Sequence, residues 1–375
     1  MPPGPTVGKV TALVTRDGAS GPEVCVFDHP RAGVQLPAGT LLPGEDVRAG
    51  ALREAFEETG LEDLRVRSEI AALPAAPPGT AIIGRRIEVG ERVIPRGYLA
   101  RVLERDARRA HIDVDGTTGV VDLDALSFDG LRTLVHMVTE GAAPDEWFVM
   151  SQDGGGLCWR CHWLPLEDTG TLTAGQQPWL DVARRHLRRA DHPLARRRPA
   201  VDPDAQTDLT IELFWAPPWS GTRALVSWLD PAHGPPDELV GRAEAVAVTE
   251  EGHIVVVADS DEQLWQCPGG RREPGESLED TLRREVLEEA CARVTAIELV
   301  GFQRFRHLTG GRAGRVTTDA MFWARVQAEP FAPRFETCAR RLLPLAAARD
   351  LPLWANPITQ RALTAAADAD RHRAP

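Results

Sequence analysis

Short apolar runs, broken by glycine, proline and charge, recur along the chain. Val10–Val14 and Val24–Phe27 near the start, and Ala245–Val248 and His253–Val257 later, have the length and β-branched content of strands. Each pair leads into a Gly/Pro-rich loop and then a helical segment. Further strands are predicted at Tyr98–Leu103, Trp159–Leu164, Ala320–Arg325 and Ala339–Leu343. Closing helices are predicted near Pro178–Leu187 and Pro357–Ala366. The pattern predicts an α/β architecture, a mixed β-sheet with helices on its faces, formed twice. Leu131, Leu134, Val135 and Val138 fall at helical spacing and predict an extra helix. That helix makes residues 113–145 read as an insertion. The last eight residues, DADRHRAP, read as a frayed tail.

An internal repeat explains the duplication. LPAGTLLPGEDVRAGALREAFEETGL (36–61) and CPGGRREPGESLEDTLRREVLEEACA (267–292) align without gaps, Gly39 on Gly270. The spacing of 231 residues between those glycines is too long for a solenoid period, so the repeat marks two copies of one domain. We expect an N-terminal domain over 1–188, a linker over 189–208 and a C-terminal domain over 209–375. The linker region carries charge, prolines and little apolar periodicity. Its Arg196-Arg197-Arg198 run reads as a solvated face.

Composition narrows the function classes. The chain has 375 residues, 43 Lys+Arg and 55 Asp+Glu, a formal net charge of −12. That balance lacks the basic footprint of a nucleic-acid binder. A hydrophobic fraction of 43% supports ordinary cores. No apolar run is long enough to span a bilayer, and no secretory leader is visible, so a cytoplasmic protein is expected. Six cysteines are too few for a disulfide scaffold. Lys9 is the lone lysine, which reads as compositional bias, and any phosphate clamp must be almost wholly arginine.

The chemistry lies in the repeat. Glu54, Glu57 and Glu58 stand at i, i+3 and i+4, with Cβ atoms ~5–6 Å apart on one helical face. Leu52, Ala55, Phe56 and Thr59 form the opposite, packing face. Like charges at this spacing repel, and a hard divalent ion with oxygen ligands relieves the repulsion. Mg²⁺ suits the arrangement because it completes its octahedron with water and substrate phosphate oxygens. Gly39 allows close backbone approach, Gly44 a tight turn before Glu45, and Gly60 a left-handed helix end. Arg53 can pair with Glu57 at i+4. The second copy repeats this with Gly270, Gly275, Glu276, Arg284, Glu285, Glu288 and Glu289. Its packing face is Val286, Leu287 and Ala290, with Leu282 on the flank. Cys291 replaces Gly60, and a non-glycine residue in that conformation costs ~1–2 kcal/mol.

These residues resemble the Nudix box, Gly-x5-Glu-x7-Arg-Glu-U-x-Glu-Glu-x-Gly-U, where U is bulky and apolar. The first copy matches at Gly39, Glu45, Arg53, Glu54, Glu57, Glu58 and Gly60. The second matches at Gly270, Glu276, Arg284, Glu285, Glu288 and Glu289, and departs at Cys291. The resemblance implies two Nudix-type α/β/α sandwich domains with mixed β-sheets. It also implies hydrolysis of nucleoside diphosphate derivatives, dependent on Mg²⁺ or Mn²⁺. Gly39, Glu54, Glu57 and Glu58 would hold metal in the first copy, and Gly270, Glu285, Glu288 and Glu289 in the second. Arg53, Glu54 and Glu57, with Arg284, Glu285 and Glu288, would carry the catalytic roles. The implied partner is a small nucleotide diphosphate substrate, with no nucleic acid and no membrane; a homodimer stays open. The alternative is a nucleotide-sensing Nudix fold without hydrolysis in one or both copies.

Three other features read as structural. Cys158-Trp-Arg-Cys161-His162 matches the CxxCH haem-attachment spacing, but a strand puts its cysteines on opposite faces. Phe214–Trp219 reads as aromatic packing, and Gly154-Gly155-Gly156 as a turn.

Overall fold

The computed structural model describes residues 6–373, apart from 20, 77, 107, 140–142, 152–155, 168–169, 174–175, 188–196, 199–208, 218–219, 260–263 and 334–336. Almost all of the expected 189–208 linker lies outside the described residues, as do Trp219, Gly154 and Gly155. The chain forms two compact units. One comprises Met1–Phe27, Ala32–Ala143 and Trp163–Arg197; the other comprises Asp28–Arg31, Pro144–His162 and Arg198–Pro375.

In the first unit, strand Lys9–Gly18 runs antiparallel to Gly21–His29 and parallel to Leu131–Thr139, which in turn pairs with Leu64–Pro74. The short strand Ala38–Thr40 lies antiparallel to Lys9–Gly18, with Gly39 opposite Val10. Helix α1 (Val47–Thr59) follows, and α2 (Gln177–Leu187) packs Leu180, Ala183 and Leu187 with Leu13, Val26 and Leu134.

The second unit repeats the plan. Val240–Thr249 runs parallel to Val316–Ala328 and antiparallel to His253–Ala258 and the short strand Gly269–Arg271. Ala292–His307 and Ala339–Pro344 extend the sheet on either side. Helix α3 (Leu278–Ala290) covers one face, burying Leu278, Leu282, Val286 and Ala290 against Ala243, Ala245 and Ala247. The one-turn helix α4 (Leu345–Ala348) and helix α5 (Pro357–Arg373) cover the other, against Val246 and Val248. Alternation along one strand therefore feeds two helical layers. The segment Pro144–His162, expected within 1–188, builds into this second unit. Its strand Glu146–Ser151 runs parallel to Thr210–Trp215, and Phe148 and Cys158 join that unit's core.

Several expectations are corrected. The helix expected around Leu131 to Val138 is the strand Leu131–Thr139. Its last six residues are buried, and a doubly covered strand is a continuous apolar run that helical spacing can imitate. The extra segment of the first unit overlaps the expected 113–145 only in part, because it starts and ends earlier. It begins after Pro74 and ends before Leu131, where the second unit has only the turn between His307 and Val316. It forms a separate five-stranded sheet that includes Thr80–Ile83, Leu99–Arg105 and Arg109–Val114, with its own core of Ala81, Ile83, Ile94, Ala100 and Ile112.

The packing faces also shift. In α3, Leu282 is fully buried and Leu287 is 48% exposed, because the buried stripe is Leu278, Leu282, Val286, Ala290. In α1, Gly50, Ala51, Ala55 and Thr59 are buried while Leu52 and Phe56 are only half-buried. The tail is helical through Arg373: Asp370 accepts from Trp323 Nε1 at 2.9 Å, and Arg373 pairs with Glu298 at 2.8 Å. Cys158 and Cys161 are buried in the strand Leu157–Pro165, and burial pushes the Cys158 thiol up to about 12. Phe214 is buried, and Gly156 takes a positive φ of 79°.

The ends of the box helices show how each copy solves one local problem. Asp46 caps α1 by accepting from Arg48 N and Ala49 N, and Ser277 forms a capping box with Asp280 on α3. Gly60 ends α1 at φ 62°, ψ 13°, and Cys291 ends α3 in the same left-handed region at φ 46°, ψ 51°. Arg340 supports the strained end by donating to the carbonyls of Ala290 at 2.7 Å and Cys291 at 3.0 Å. Replacing Cys291 with glycine removes the left-handed penalty while Arg340 stays in place. We expect Cys291→Gly to stabilise the second unit by about 0.5–1 kcal/mol, read as a raised urea midpoint; a lowered midpoint would contradict the strain.

Candidate active site

In both units one arginine organises the box. Arg53 Nε and Nη2 grip the Glu45 carboxylate at 2.8 and 2.9 Å, a bidentate pair, while Nη1 reaches Glu54 and Glu57, each at 3.0 Å. Its Nη2 also donates to the Thr40 carbonyl at 3.2 Å. Arg284 repeats the set on Glu276 at 2.8 and 3.0 Å, Glu285 at 2.9 Å, Glu288 at 3.2 Å and the Arg271 carbonyl at 2.9 Å. The expected i+4 pair with Glu57 is present, but Arg53's two-pronged contact is with Glu45, eight residues back on the loop.

The glycines are required sterically. A Cβ on Gly39 would lie 1.9–2.1 Å from the Glu54 carboxylate atoms, and one on Gly270 would lie 2.1–2.5 Å from those of Glu285. Main chain and carboxylate therefore share a space that any side chain would fill. The last glutamate of each trio turns away from the arginine to the same strand. Glu58 accepts from Ala38 N at 2.7 Å, and Glu289 from Gly269 N at 2.9 Å.

Burial and charge set the electrostatics. The Arg53 hydrogen bonds hold Glu45 down to about 2, and Arg284 does the same for Glu276. Burial pushes Glu54 up and Glu58 well up. Burial, with the charges of Glu285 and Glu244, pushes Glu289 up to about 7. These are carboxyls whose ionised form lacks sufficient counter-charge.

Sequence reasoning missed the residues flanking the box. Lys9 and Arg132 stand side by side in the parallel register, and both feel the charge of Glu54. Burial first, then Arg132, lowers the Lys9 ammonium to about 8. In the second unit Arg242 is paired with Asp319 in the same register, and Glu244 lies near Glu289 and Asp319. Burial and the Glu244 charge push Asp319 up to about 7. Nothing local marks these residues; only strand register brings them to the box.

Among the described residues, no three carboxylate, imidazole or thiolate groups are gathered closely enough to share an ion in this geometry. The donors around each glycine cradle are all oxygens, which fits a hard divalent cation rather than a soft one.

The fold and this repeated cage define a chain with two related units, each carrying the same arginine-and-glutamate box. The NUDIX domain model matches residues 8–114 and 240–365, and the chain belongs to the Nudix family. It is 37% identical over 82 residues to a putative 8-oxo-dGTP diphosphatase of Bacillus subtilis (strain 168), covering 19% of this chain and 55% of that one. It is 33% identical over 98 residues to mouse nucleoside diphosphate-linked moiety X motif 6, covering 26% and 30%. The chain thus spans about half or less of the length of the curated relatives it matches. Among solved structures, the Bacillus subtilis pyrophosphohydrolase BsRppH is 20% identical, with a TM-score of 0.33, covering 39% of this chain and 92% of that one. The NUDIX domain of Shewanella oneidensis NrtR, solved with ADP ribose, has a TM-score of 0.28 at 20% identity, covering 37% and 94%. Nudix hydrolases generally use divalent metal cations. No helix among the described residues is long and apolar enough to cross a membrane.

The depressed Glu45 carboxyl has a testable sign. Its folded value lies near 2, below the ordinary 4.5, so its stabilisation is full above pH 4.5 and lost as pH falls toward 2. Glu45→Gln is expected to lower the urea midpoint at pH 7, and the gap from wild type should close between pH 4.5 and 2. A gap independent of pH would contradict the Arg53 pairing.

Proposed function

We propose that this chain is a divalent-cation-dependent hydrolase that cleaves the diphosphate linkage of nucleoside diphosphate derivatives, using Mg²⁺ or Mn²⁺. The class covers nucleoside triphosphates, oxidised nucleotides, ADP-ribose and nucleotide sugars. The observation that carries the reading is the repeated cage: an arginine fork holding three glutamates beside a glycine whose Cβ position is filled by carboxylate. Each box works within its own domain, and the protein is cytoplasmic. The names of the relatives, which include a diphosphatase, support the same chemistry.

In this reading Glu54, Glu57 and Glu58 hold the cation with the Gly39 carbonyl, and Glu285, Glu288 and Glu289 hold it with the Gly270 carbonyl. The cation, when bound, neutralises phosphate charge and activates water. Arg53 and Arg284 keep the first two glutamates of each trio aimed at the cradle. Backbone N–H groups of Ala38 and Gly269 fix the third. Glu45 and Glu276 anchor the arginines from the loop. A second reading, a nucleotide-sensing unit without hydrolysis, is favoured at one place only. There, two fixed cations, Lys9 and Arg132, face the first box.

The test is hydrolysis of a diphosphate panel with Mg²⁺, comparing wild type, Glu58→Gln, Glu289→Gln and the double variant. We expect turnover in wild type that chelation abolishes and that the double variant lowers by about 100-fold or more. Absence of divalent-dependent turnover across the panel would overturn the hydrolase reading.

A further inference from the structure

The two boxes are nearly superposable in their contacts, yet the strands beside them carry opposite charge. Register supplies the alignment. In the first unit Lys9, Val10 and Thr11 lie opposite Thr40, Gly39 and Ala38. In the second, Arg242, Ala243 and Glu244 lie opposite Arg271, Gly270 and Gly269. With Gly39 matched to Gly270, Lys9 corresponds to Arg242 and Thr11 to Glu244. The parallel neighbours extend the match: Lys9 is paired with Arg132 and Arg242 with Asp319. So Lys9, Thr11 and Arg132 in one unit stand where Arg242, Glu244 and Asp319 stand in the other. At these positions the first unit carries two positive charges and the second a net negative one.

These side chains are anchored near the glutamates. Arg132 donates from Nη1 to the Val10 carbonyl at 3.2 Å and Thr11 Oγ1 at 2.9 Å, and lies over the Trp179 ring at 5.6 Å. Lys9 and Arg132 both act on Glu54, and Arg132 also acts on Glu58. In the second unit Arg242 is held to Glu244 at 3.3 Å and to the Gly269 carbonyl at 3.1 Å. A Cβ on Gly269 would meet Glu244 Cγ at 2.9 Å, so the Glu244 side chain runs along the glycine strand. There Arg242 acts on Glu244, Glu289 and Asp319, Arg312 also acts on Asp319, and Glu285 is held by Arg284 at 2.9 Å.

We propose that the two sites neutralise phosphate charge by different means. In the N-terminal site Lys9 and Arg132 supply part of the positive charge. In the C-terminal site Glu244 and Asp319 extend the oxygen donor set, so that site binds divalent cations more tightly. The substrate class follows from the hydrolase reading, and Coulomb's law sets the direction of the difference. Fixed cations near a metal site lower its affinity for a further cation, and added carboxylates raise it. The box with the complete consensus is then the weaker cation site, and the one ending in Cys291 the stronger.

The test is Mn²⁺ titration of the full chain, with free ion followed by electron paramagnetic resonance. One background carries Glu54→Gln and Glu58→Gln, the other Glu285→Gln and Glu289→Gln. We expect the first background to bind Mn²⁺ at least about tenfold more tightly than the second. Adding Glu244→Gln and Asp319→Asn to the first should erase that advantage, while Lys9→Gln with Arg132→Gln should tighten binding in the second. Urea midpoints verify that each variant is folded. Equal affinities in the two backgrounds, tighter binding in the second, or no effect of Glu244→Gln with Asp319→Asn would overturn the proposal. Turnover is not the readout, so the two readings fail separately. Asymmetric Mn²⁺ binding without hydrolysis supports this proposal and sinks the hydrolase reading; equal binding with hydrolysis does the reverse.

Discussion

Four carboxylates around one glycine strand would repel one another without a shared counter-charge. In each unit an arginine supplies it. Arg53 spans Glu45, Glu54 and Glu57, and Arg284 spans Glu276, Glu285 and Glu288. Much of the surrounding structure follows from fitting that fork. The loop must bring Glu45 back toward the helix, so the turn contains Gly44 at positive φ. The strand beside the fork must come close enough to accept from Arg53 at the Thr40 carbonyl, so Gly39 has no side chain. The helix must start at a fixed place, so Asp46 and Ser277 cap it. The remaining glutamate is left to the backbone N–H of Ala38 or Gly269.

Because the fork is built from local contacts, it survives differences around it. One helix ends in Gly60, the other in Cys291 with Arg340 on its last carbonyls. One unit's strands bring Lys9 and Arg132 to the glutamates, the other's bring Glu244 and Asp319. The arrangement separates a constant part, positioned by residues within one loop and helix, from a variable part contributed by distant strands. Charge at the variable positions can change sign without disturbing the arginine. That freedom allows two copies in one chain to diverge electrostatically while both keep their glutamates in place.

The constant part was legible in the sequence for the same reason. Glu54, Glu57 and Glu58 share a face by helical spacing alone, and their glycines sit at fixed offsets. The variable part was not, because Lys9 meets Glu54 only through strand pairing, and a lone lysine carries no pattern. Register also explains the misread strand. Leu131, Leu134, Val135 and Val138 fit a helix as well as a buried parallel strand, and only pairing with Lys9–Gly18 decides between them. The packing faces hold at Ala55, Thr59, Val286 and Ala290 and depart at Leu52, Phe56 and Leu287. Charged or half-exposed neighbours such as Arg283 and Leu287 obscured the run Leu278, Leu282, Val286, Ala290. The helical tail was missed because its anchors, Trp323 and Glu298, lie far upstream.

The added sheet of the first unit enters and leaves the fold at one rung of a ladder. Pro74 and Leu131 are directly opposed partners at the end of two antiparallel strands. Everything between them, with its separate apolar core, is topologically an enlarged hairpin loop. Lengthening such a loop costs chain entropy only logarithmically. The segment is therefore a cassette. It touches the parent unit where Val7 N donates to Ser127 Oγ at 3.0 Å and where Arg96 donates to the Leu41 carbonyl of the box loop at 2.6 Å, so a change in the cassette reaches the box through that loop rather than through the box helix.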